Sequence, residues 1–357
     1  MNSQPGNWQT AGNEKIVALF RRALSQRRLS HAYLLLGPQH VGKMTLAMDL
    51  ARAVNCESDN PPCGLCRSCQ RIASGKHADI KVTSLSRPDP AAKGKKRTEI
   101  GIQEIKDLIE QASLPPFEGR MKVFVIDGAE RMSSEAANAL LKTLEEPPAH
   151  VLFILLSSRE QSVLPTVLSR CQRIELRPLT IEAVAHLLGQ RQGVDHERTA
   201  LLARLSSGCP GWALSALSDD GEMQQRKQDL DIIVRIPSLA YGKRFALVTE
   251  WLKRFDESRD EGESLLNLWL GWWRDLLMLK AGCDSSLTNV DYRDELEQQS
   301  GLFDISDISA SAGAIRRAKE QIGLNANLRL ALESLMLNVP RKGRPSPAAA
   351  GTGELGR

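Results

Sequence analysis

The sequence predicts an α/β protein, a parallel sheet with helices on both faces, followed by an all-α part. Three apolar runs of strand length, each followed by polar turn residues and helix-like sequence, predict the sheet: Ala32 to Leu36, Lys122 to Asp127 and Val151 to Leu156. Strand–helix alternation of this kind indicates parallel pairing. Because the runs are apolar almost throughout, we expect the sheet to be covered on both sides.

Beyond about Leu179 helical patterns replace the strands. Three short helices are predicted first, over Ile181 to Gln192, Glu197 to Ser206 and Trp212 to Asp219, and longer ones follow from Gln224. An apolar stripe at helical spacing lies within these longer helices: Leu265, Leu266, Trp269, Trp272, Trp273, Leu276 and Leu277. We interpret this stripe as the core of an all-α domain and not as an aromatic binding site.

Length and composition exclude several classes of protein. The 357 residues suffice for two or three domains, and 42% hydrophobic with 25% charged residues is typical of globular chains. No apolar run approaches the ~20 residues that span a bilayer, and the polar segment Met1 to Thr10 lacks the core of a secretory signal. We therefore expect a cytoplasmic protein. The net charge of +4 is too small to indicate nucleic-acid binding by itself.

Two polar segments contain no apolar pattern that could pack into a core. Arg87 to Thr98 combines prolines with a basic run, and we interpret it as a solvated loop, with contact to nucleic acid as the alternative. Arg341 to Arg357 is rich in Pro, Gly and Ala, which predicts a disordered tail. The sequence leaves open whether this tail binds a partner.

The segment Gly37 to Lys43 (GPQHVGK) lies between a predicted strand and a predicted helix, as a phosphate-binding P-loop does. Gly37 and Gly42 allow backbone N–H groups to surround phosphate oxygens, the helix N-terminus adds its positive dipole end, and Lys43 would reach the terminal phosphates. Met44 occupies the position where a Ser or Thr hydroxyl would bind Mg²⁺, and Thr45 points ~100° away. The loop therefore predicts nucleotide binding at a degenerate site.

Asp127 ends a predicted strand, where a carboxylate is placed to hold Mg²⁺. Hydrolysing proteins of this class normally carry an acidic residue next, to orient the attacking water, but here Gly128 follows. We interpret the next carboxylate, Glu130, as a surface acid at a helix start.

Four of the seven cysteines crowd into one short segment, with spacings of six, two and two residues: Cys56, Cys63, Cys66 and Cys69. Four thiolates can close a tetrahedral shell around Zn²⁺, and nearby prolines and Gly64 supply the tight turns. Since four cysteines complete the shell, His77 is not needed as a ligand, and we expect the zinc to be structural. The remaining cysteines, Cys171, Cys209 and Cys283, are predicted to be buried small apolar residues.

The tripeptide Ser169-Arg170-Cys171 follows a predicted strand and a short helix. An isolated arginine is usually a surface cation. Its position also suits an arginine finger that reaches across a subunit boundary towards a phosphate.

Together these segments resemble the bacterial clamp-loader branch of the AAA+ family. The resemblance rests on Ala136 to Pro148 (AANALLKTLEEPP), on Leu164-Pro165 with Leu168 to Cys171, and on the four-cysteine insertion. It is strong over residues 12–220, and Asn327 to Glu333 resembles the family's collar. It implies a RecA-like core over 1–178 with a zinc module at 56–69, a three-helix lid over 179–222, a helical collar over 223–340 and a disordered tail over 341–357.

Within that family the motor subunits carry a P-loop Ser or Thr, an Asp-Glu pair at the end of the strand that corresponds to Lys122 to Asp127, and an arginine in the lid. Here those positions contain Met44, Gly128 and, in the segment 208–212, no arginine. The pattern resembles a stator without independent catalysis that donates Arg170 in trans to a neighbour's ATP. The resemblance implies structural Zn²⁺, ATP held without hydrolysis, and a hetero-oligomeric ring with the ATPase motor subunits and the clamp-opening subunit. The sliding clamp and primer–template DNA would be indirect partners, and no membrane is implied.

Two alternatives stay open. One is an ATP-hydrolysing clamp-loader motor or another P-loop ATPase of DNA replication. The other is a zinc-containing DNA-binding protein, which the cysteine cluster and the basic run Lys93 to Arg97 favour.

Overall fold

The structure is a computed structural model that describes residues 6–85, 99–190, 195–324 and 326–341. The chain divides into two compact units, Met1–Gly193 with Ser206–Trp212, and Val194–Leu205 with Ala213–Arg357. The predicted basic loop and the predicted tail beyond Arg341 lie outside the described residues. The division into core, lid and collar stays a prediction.

The first unit contains a five-stranded parallel sheet in the order β2-β3-β4-β1-β5. Its strands are β1 Ala32–Leu36, β2 Ile80–Ser84, β3 Lys122–Asp127, β4 Val151–Ser157 and β5 Gln172–Glu175. Leu36 lies opposite Ser157, and Asp127 lies opposite Leu156. The carboxyl ends of β1, β3 and β4 therefore meet at one edge, where α/β proteins bind ligands.

Helices cover both faces of this sheet, as predicted. They are α1 Glu14–Ser25, α2 Lys43–Asn55, α3 Arg67–Ala73, α4 Ile102–Ser113, α5 Ser134–Glu145 and α6 Pro165–Leu168, and α7 Ile181–Gly189 follows the last strand. Alternate residues of a strand point to opposite faces. Ala32 and Leu34 accordingly share a core with α4 and α5, whereas Tyr33 and Leu35 share a second core with α1, α2 and α3.

The helices and strands assigned in the described part of the second unit are all helices. Its helices are α8 His196–Leu205, most of α9 Pro210–Ser218, α10 Gly221–Arg235, α11 Tyr241–Glu257, α12 Arg259–Lys280, α13 Arg293–Ser300, α14 Ile305–Gly323 and α15 Leu328–Asn338. The Ser258 hydroxyl caps α12 by accepting from the Glu261 N–H at 3.3 Å, and Lys280 lies in its last turn. Trp269, Trp272 and Trp273 are buried in the core, which confirms the interpretation of the apolar stripe. None of the helices in the described part of the chain has both the length and the apolar character required to cross a membrane.

The cysteines outside the cluster are less buried than predicted. Cys171 and Cys209 are half-buried, and Cys283 is exposed, so the prediction is wrong for Cys283. Cys283 lies in the turn that leaves α12, directly after Gly282 with a φ of +69°. The turn ends the apolar stripe of α12, so the thiol lies outside the core.

Candidate functional site

The P-loop runs from the end of β1 to the start of α2 in a conformation that requires glycine. Gly37 adopts a φ of +147°, and a Cβ there would lie 2.5 Å from the Leu176 carbonyl oxygen. Gly42, at the N-cap of α2, adopts a φ of +107°. Residues with a side chain rarely adopt such φ angles, so the backbone conformation of the loop requires glycine at both positions. The strand–loop–helix arrangement predicted for this segment is present.

Lys43 is only 9% exposed and turns back onto its own loop. Its ammonium donates to the carbonyl oxygens of Gly37 at 2.7 Å and Pro38 at 2.8 Å. The next side chain, Met44, packs against the core beneath the sheet, and Thr45 is half-buried on α2. The loop glycines and Lys43 thus suit a phosphate, but Met44 supplies no oxygen ligand for Mg²⁺.

The segment 208–212 lies against the tip of the P-loop. The Gly211 N–H donates to the His40 carbonyl oxygen at 2.8 Å, and the Leu179 N–H donates to the Gly208 carbonyl oxygen at 2.8 Å. Burial raises the pKa of the Cys209 thiol, and the nearby Lys43 cation partly opposes this rise. The segment 208–212 therefore contacts the P-loop tip through its backbone.

Asp127 is half-buried at the carboxyl end of β3. Strand β4 separates β3 from β1, so the strand that ends in Asp127 lies about 10 Å, two strand spacings, from the strand that leads into the P-loop. Glu130 is not the surface acid that the sequence suggested. Its Oε1 accepts from the backbone N–H of Ser158 at 3.2 Å and from the Ser158 hydroxyl at 2.8 Å. The glycine turn at Gly128, with a φ of +89°, directs this carboxylate back to the end of β4.

Sequence reasoning missed the carboxylate that fastens the N-terminal segment to the P-loop helix. Asp49 of α2 is fully buried, and its Oδ2 accepts from the N–H groups of Gln9 at 2.9 Å and Thr10 at 2.8 Å and from the Thr10 hydroxyl at 2.7 Å. Arg52, one turn along α2, forms an ion pair with Asp49. The sequence does show an acidic residue within an apolar helix face, which indicates a buried polar contact. It does not identify the partners, because they lie about forty residues away along the chain.

The four cysteines predicted as ligands come together. Their sulfur atoms all lie within 4.8 Å of one another, with Cys56 and Cys69 buried and Cys63 and Cys66 half-buried. Four sulfurs at 2.3 Å from a tetrahedral Zn²⁺ would be about 3.8 Å apart, so the cluster needs only a slight contraction around the ion. The donor set therefore fits a metal ion, and His77 is not part of it.

Backbone N–H groups point at these sulfurs. The Cys66 N–H donates to Cys63 Sγ at 3.2 Å, and the Leu65 N–H donates to the same sulfur at 3.4 Å. Although burial raises the pKa of the Cys63 thiol, these N–H groups and hydrogen bonds with the Cys56 and Cys66 side chains together outweigh it and lower the pKa to about 7. Burial raises the pKa of Cys56 and Cys69. N–H donors of this kind stabilise a thiolate, the form in which cysteine binds a metal.

His77 takes part in hydrogen bonds that join the cysteine module to the turn before β2. Its Nε2 lies 3.1 Å from the Ser68 hydroxyl, and its Nδ1 accepts from the Asp79 N–H at 3.2 Å. Since Nδ1 accepts, Nε2 carries the proton and donates to Ser68, so His77 cannot act as a base towards that hydroxyl. The network is structural.

Arg170 lies two residues beyond the end of α6, after the short helix that the sequence predicted, and its side chain is 31% exposed. Its guanidinium pairs with Glu145 at the end of α5. The neighbouring thiol of Cys171 has its pKa raised to about 12 by burial, which makes it unreactive at neutral pH. Of these two side chains, only the Arg170 guanidinium is charged at neutral pH.

Two protein-family models match the chain. One, described as "DNA polymerase III, delta subunit", matches residues 12–180, and the other, described as "DNA polymerase III, delta subunit, C terminal", matches residues 221–340.

Individual relatives are subunits of the same enzyme. The delta' subunit of DNA polymerase III from Bacillus subtilis is 28% identical over 324 residues, which cover 90% of this chain and 94% of the relative. The tau subunit from Escherichia coli is 37% identical over 212 residues. That match covers 57% of this chain but only 31% of the tau subunit, so this chain spans less than a third of the tau relative.

Among solved structures, a DNA polymerase III gamma subunit-related protein from Thermotoga maritima is 18% identical. It covers 90% of this chain and 97% of its own, with a TM-score of 0.43. The two family models match residues 12–180 and 221–340, which is most of the chain, and the delta' relative matches almost end to end. This chain therefore belongs to the clamp-loader family of DNA polymerase III.

Proposed function

We propose that this chain is the non-hydrolysing stator of a sliding-clamp loader and supplies Arg170 in trans to the ATP of a neighbouring motor subunit. The observation that carries the proposal is that the residues needed for hydrolysis are missing while the arginine finger is retained. Met44, Gly128 and the arginine-free segment 208–212 lack the three motor parts, whereas Arg170 is retained at the surface. An arginine finger on a subunit that has no working hydrolytic site is suited to act on the nucleotide of a neighbouring subunit.

The local geometry supports this division of roles. Met44 is half-buried and packs against the core, and Gly211 lies on the P-loop tip. ATP, where it binds, would be held by Gly37, Gly42, Lys43 and Thr45 with Asp127 nearby, and would not be cleaved. Zn²⁺, bound by the four cysteines, would supply a rigid cross-link within the first unit and no catalytic chemistry.

The partners we propose are the gamma/tau motor subunits and the delta subunit in a hetero-oligomeric ring, in the bacterial cytoplasm. The sliding clamp and primer–template DNA would be reached through that ring. The delta' and tau relatives support the assembly, since each is named as a DNA polymerase III subunit.

The test is ATP turnover. The isolated chain should not hydrolyse ATP, and Arg170→Ala in the reconstituted loader should slow hydrolysis at the one site it serves by ~10³-fold. Arg173→Ala is the matched control, because Arg173 is an exposed neighbouring arginine paired with Glu160 on its own chain. Robust turnover by the purified chain, or unchanged turnover with Arg170→Ala, would contradict the proposal.

A second candidate function is an ATP-hydrolysing motor of the gamma/tau type. The intact glycine loop, Lys43 and Asp127 favour it, and the tau relative is 37% identical over 212 residues. Met44→Thr separates the two, since restoring the hydroxyl should raise turnover by a motor and leave a stator inactive.

A further inference from the structure

Arg170 is held almost completely by its own chain. Its Nε donates to Glu145 Oε1 at 2.8 Å, and its Nη2 donates to the same oxygen. Its Nη1 donates to the Thr166 carbonyl oxygen at 2.9 Å and to the Ser169 hydroxyl at 3.1 Å. A guanidinium has five N–H donors, so four are engaged and one remains.

A phosphate binds a guanidinium best through two parallel N–H donors. One remaining donor does not provide that pair. Thr166 and Ser169 lie on the same turn as Arg170 and move with it, whereas Glu145 belongs to α5, a different helix. Release from Glu145 frees the Nε–Nη2 edge, whose two N–H groups point the same way.

We propose that Glu145 is a positioning residue that holds the Arg170 guanidinium in cis and exchanges it for a phosphate of the neighbouring subunit's nucleotide. This inference rests on the proposed function of Arg170. The exposure of the pair favours exchange, since Arg170 is 31% and Glu145 50% exposed. An ion pair this exposed is weak, and the carboxylate is readily hydrated when the guanidinium leaves.

The proposal predicts a change in apparent ATP affinity. In the reconstituted loader, Glu145→Ala should lower the apparent KM for ATP about two- to five-fold, the range expected for an exposed ion pair. The maximal rate depends on Arg170 and should change little. Glu145→Gln keeps an acceptor oxygen without the charge, so its KM should lie between those of Glu145→Ala and the wild type.

Two further variants complete the experiment. Glu146→Ala removes the adjacent exposed carboxylate of the same segment and should leave KM and kcat unchanged. The double variant Glu145→Ala/Arg170→Ala should behave like Arg170→Ala alone, because Glu145 acts through Arg170.

The outcomes separate the two proposals. If Arg170→Ala slows turnover but Glu145→Ala keeps the wild-type KM, the proposed exchange at Glu145 is wrong, whereas the proposal that Arg170 acts in trans is supported. A lower kcat with unchanged KM in Glu145→Ala would also overturn the exchange, because Glu145 would then orient the finger during the reaction. Unchanged turnover with Arg170→Ala overturns both.

Discussion

The backbone N–H of Gly211 donates a hydrogen bond of 2.8 Å to the carbonyl oxygen of His40 at the tip of the P-loop. The approach is so close that a Cβ at position 211 would lie 2.9 Å from that oxygen and 3.2 Å from His40 Cα. Both atoms belong to the backbone, which cannot move aside as the end of a flexible side chain can. Position 211 therefore excludes any side chain unless the loop shifts.

We expect Gly211→Ala to lower the free energy of unfolding of the first unit by about 1–3 kcal/mol, the usual cost of overpacking a close contact. Urea unfolding followed by circular dichroism measures the effect. Gly189→Ala is the control, since a methyl group at Gly189, the last residue of α7, would meet no described atom within 4 Å and should be neutral or slightly stabilising. Equal stability of the two variants would show that the backbone at His40 yields to a side chain without cost.

The four-cysteine cluster predicts one zinc ion per chain. Cys66→Ser should reduce zinc affinity by at least the ~10- to 100-fold that loss of an outer-shell partner costs, because a ligand is removed. Metal content after gel filtration, with a chromogenic chelator as competitor, measures it. Cys283→Ser is the control, because Cys283 is exposed and lies outside the cluster. Full zinc content in Cys66→Ser would contradict a four-sulfur site.

The sequence predicted the interior of the sheet better than its edges. The three predicted strands are β1, β3 and β4, which are flanked on both sides by other strands and buried on both faces. The two that were missed, β2 and β5, are the edge strands. In β5 only Ile174 is buried, so the strand lacks the apolar run that identifies a central strand.

A similar distinction applies to the candidate sites. The cysteine cluster and the P-loop were predictable because their residues are close in sequence. Asp49, Glu130 and Glu145 act through partners 25 or more residues away, and side chains that meet only in the fold leave no local pattern. Their roles therefore required the structure.

Asp79 should contribute stability that depends on pH. This carboxylate is 3% exposed and accepts from the N–H groups of Phe117, Glu118 and Gly119 at 2.7, 2.8 and 2.7 Å. Although burial raises the pKa of Asp79, these three donors outweigh it and hold the pKa below its ordinary value of 3.8. Its contribution is therefore present above about pH 5 and is lost as the pH falls through the folded-state value.

Asp79→Asn should lower the free energy of unfolding at pH 7 by about 1.5–3 kcal/mol, the value of a hydrogen bond to a charged group. The difference in the free energy of unfolding between this variant and the wild type should become smaller as the pH falls below 3.8. Urea unfolding at pH 7 and at acidic pH tests both statements. Asp107→Asn, at an exposed carboxylate that accepts from the Gln103 side chain, should show neither effect. A difference that is constant with pH would contradict a role for the charge.

In the second unit, Arg244 closes the C-terminal end of α15. The side chain is fully buried, and burial lowers its pKa. Nη1 donates to the carbonyl oxygens of Met336 at 2.8 Å and Val339 at 2.7 Å. Nη2 donates to that of Pro340 at 3.0 Å. The last carbonyls of a helix lack partners within it and carry partial negative charge, so a buried cation is stabilised there.

Arg244→Met should therefore lower the free energy of unfolding of the second unit by about 3–5 kcal/mol, because buried carbonyl groups lose their donors. Arg244→Lys keeps the charge but supplies fewer donors, so its loss should be smaller. Tryptophan fluorescence during denaturant unfolding reports mainly on this unit, which contains Trp251, Trp269, Trp272 and Trp273. Arg235→Met, at an exposed arginine that ends α10, should change stability by less than about 0.5 kcal/mol. If Arg244→Met and Arg235→Met unfold at the same denaturant concentration, the buried guanidinium does not stabilise the end of α15.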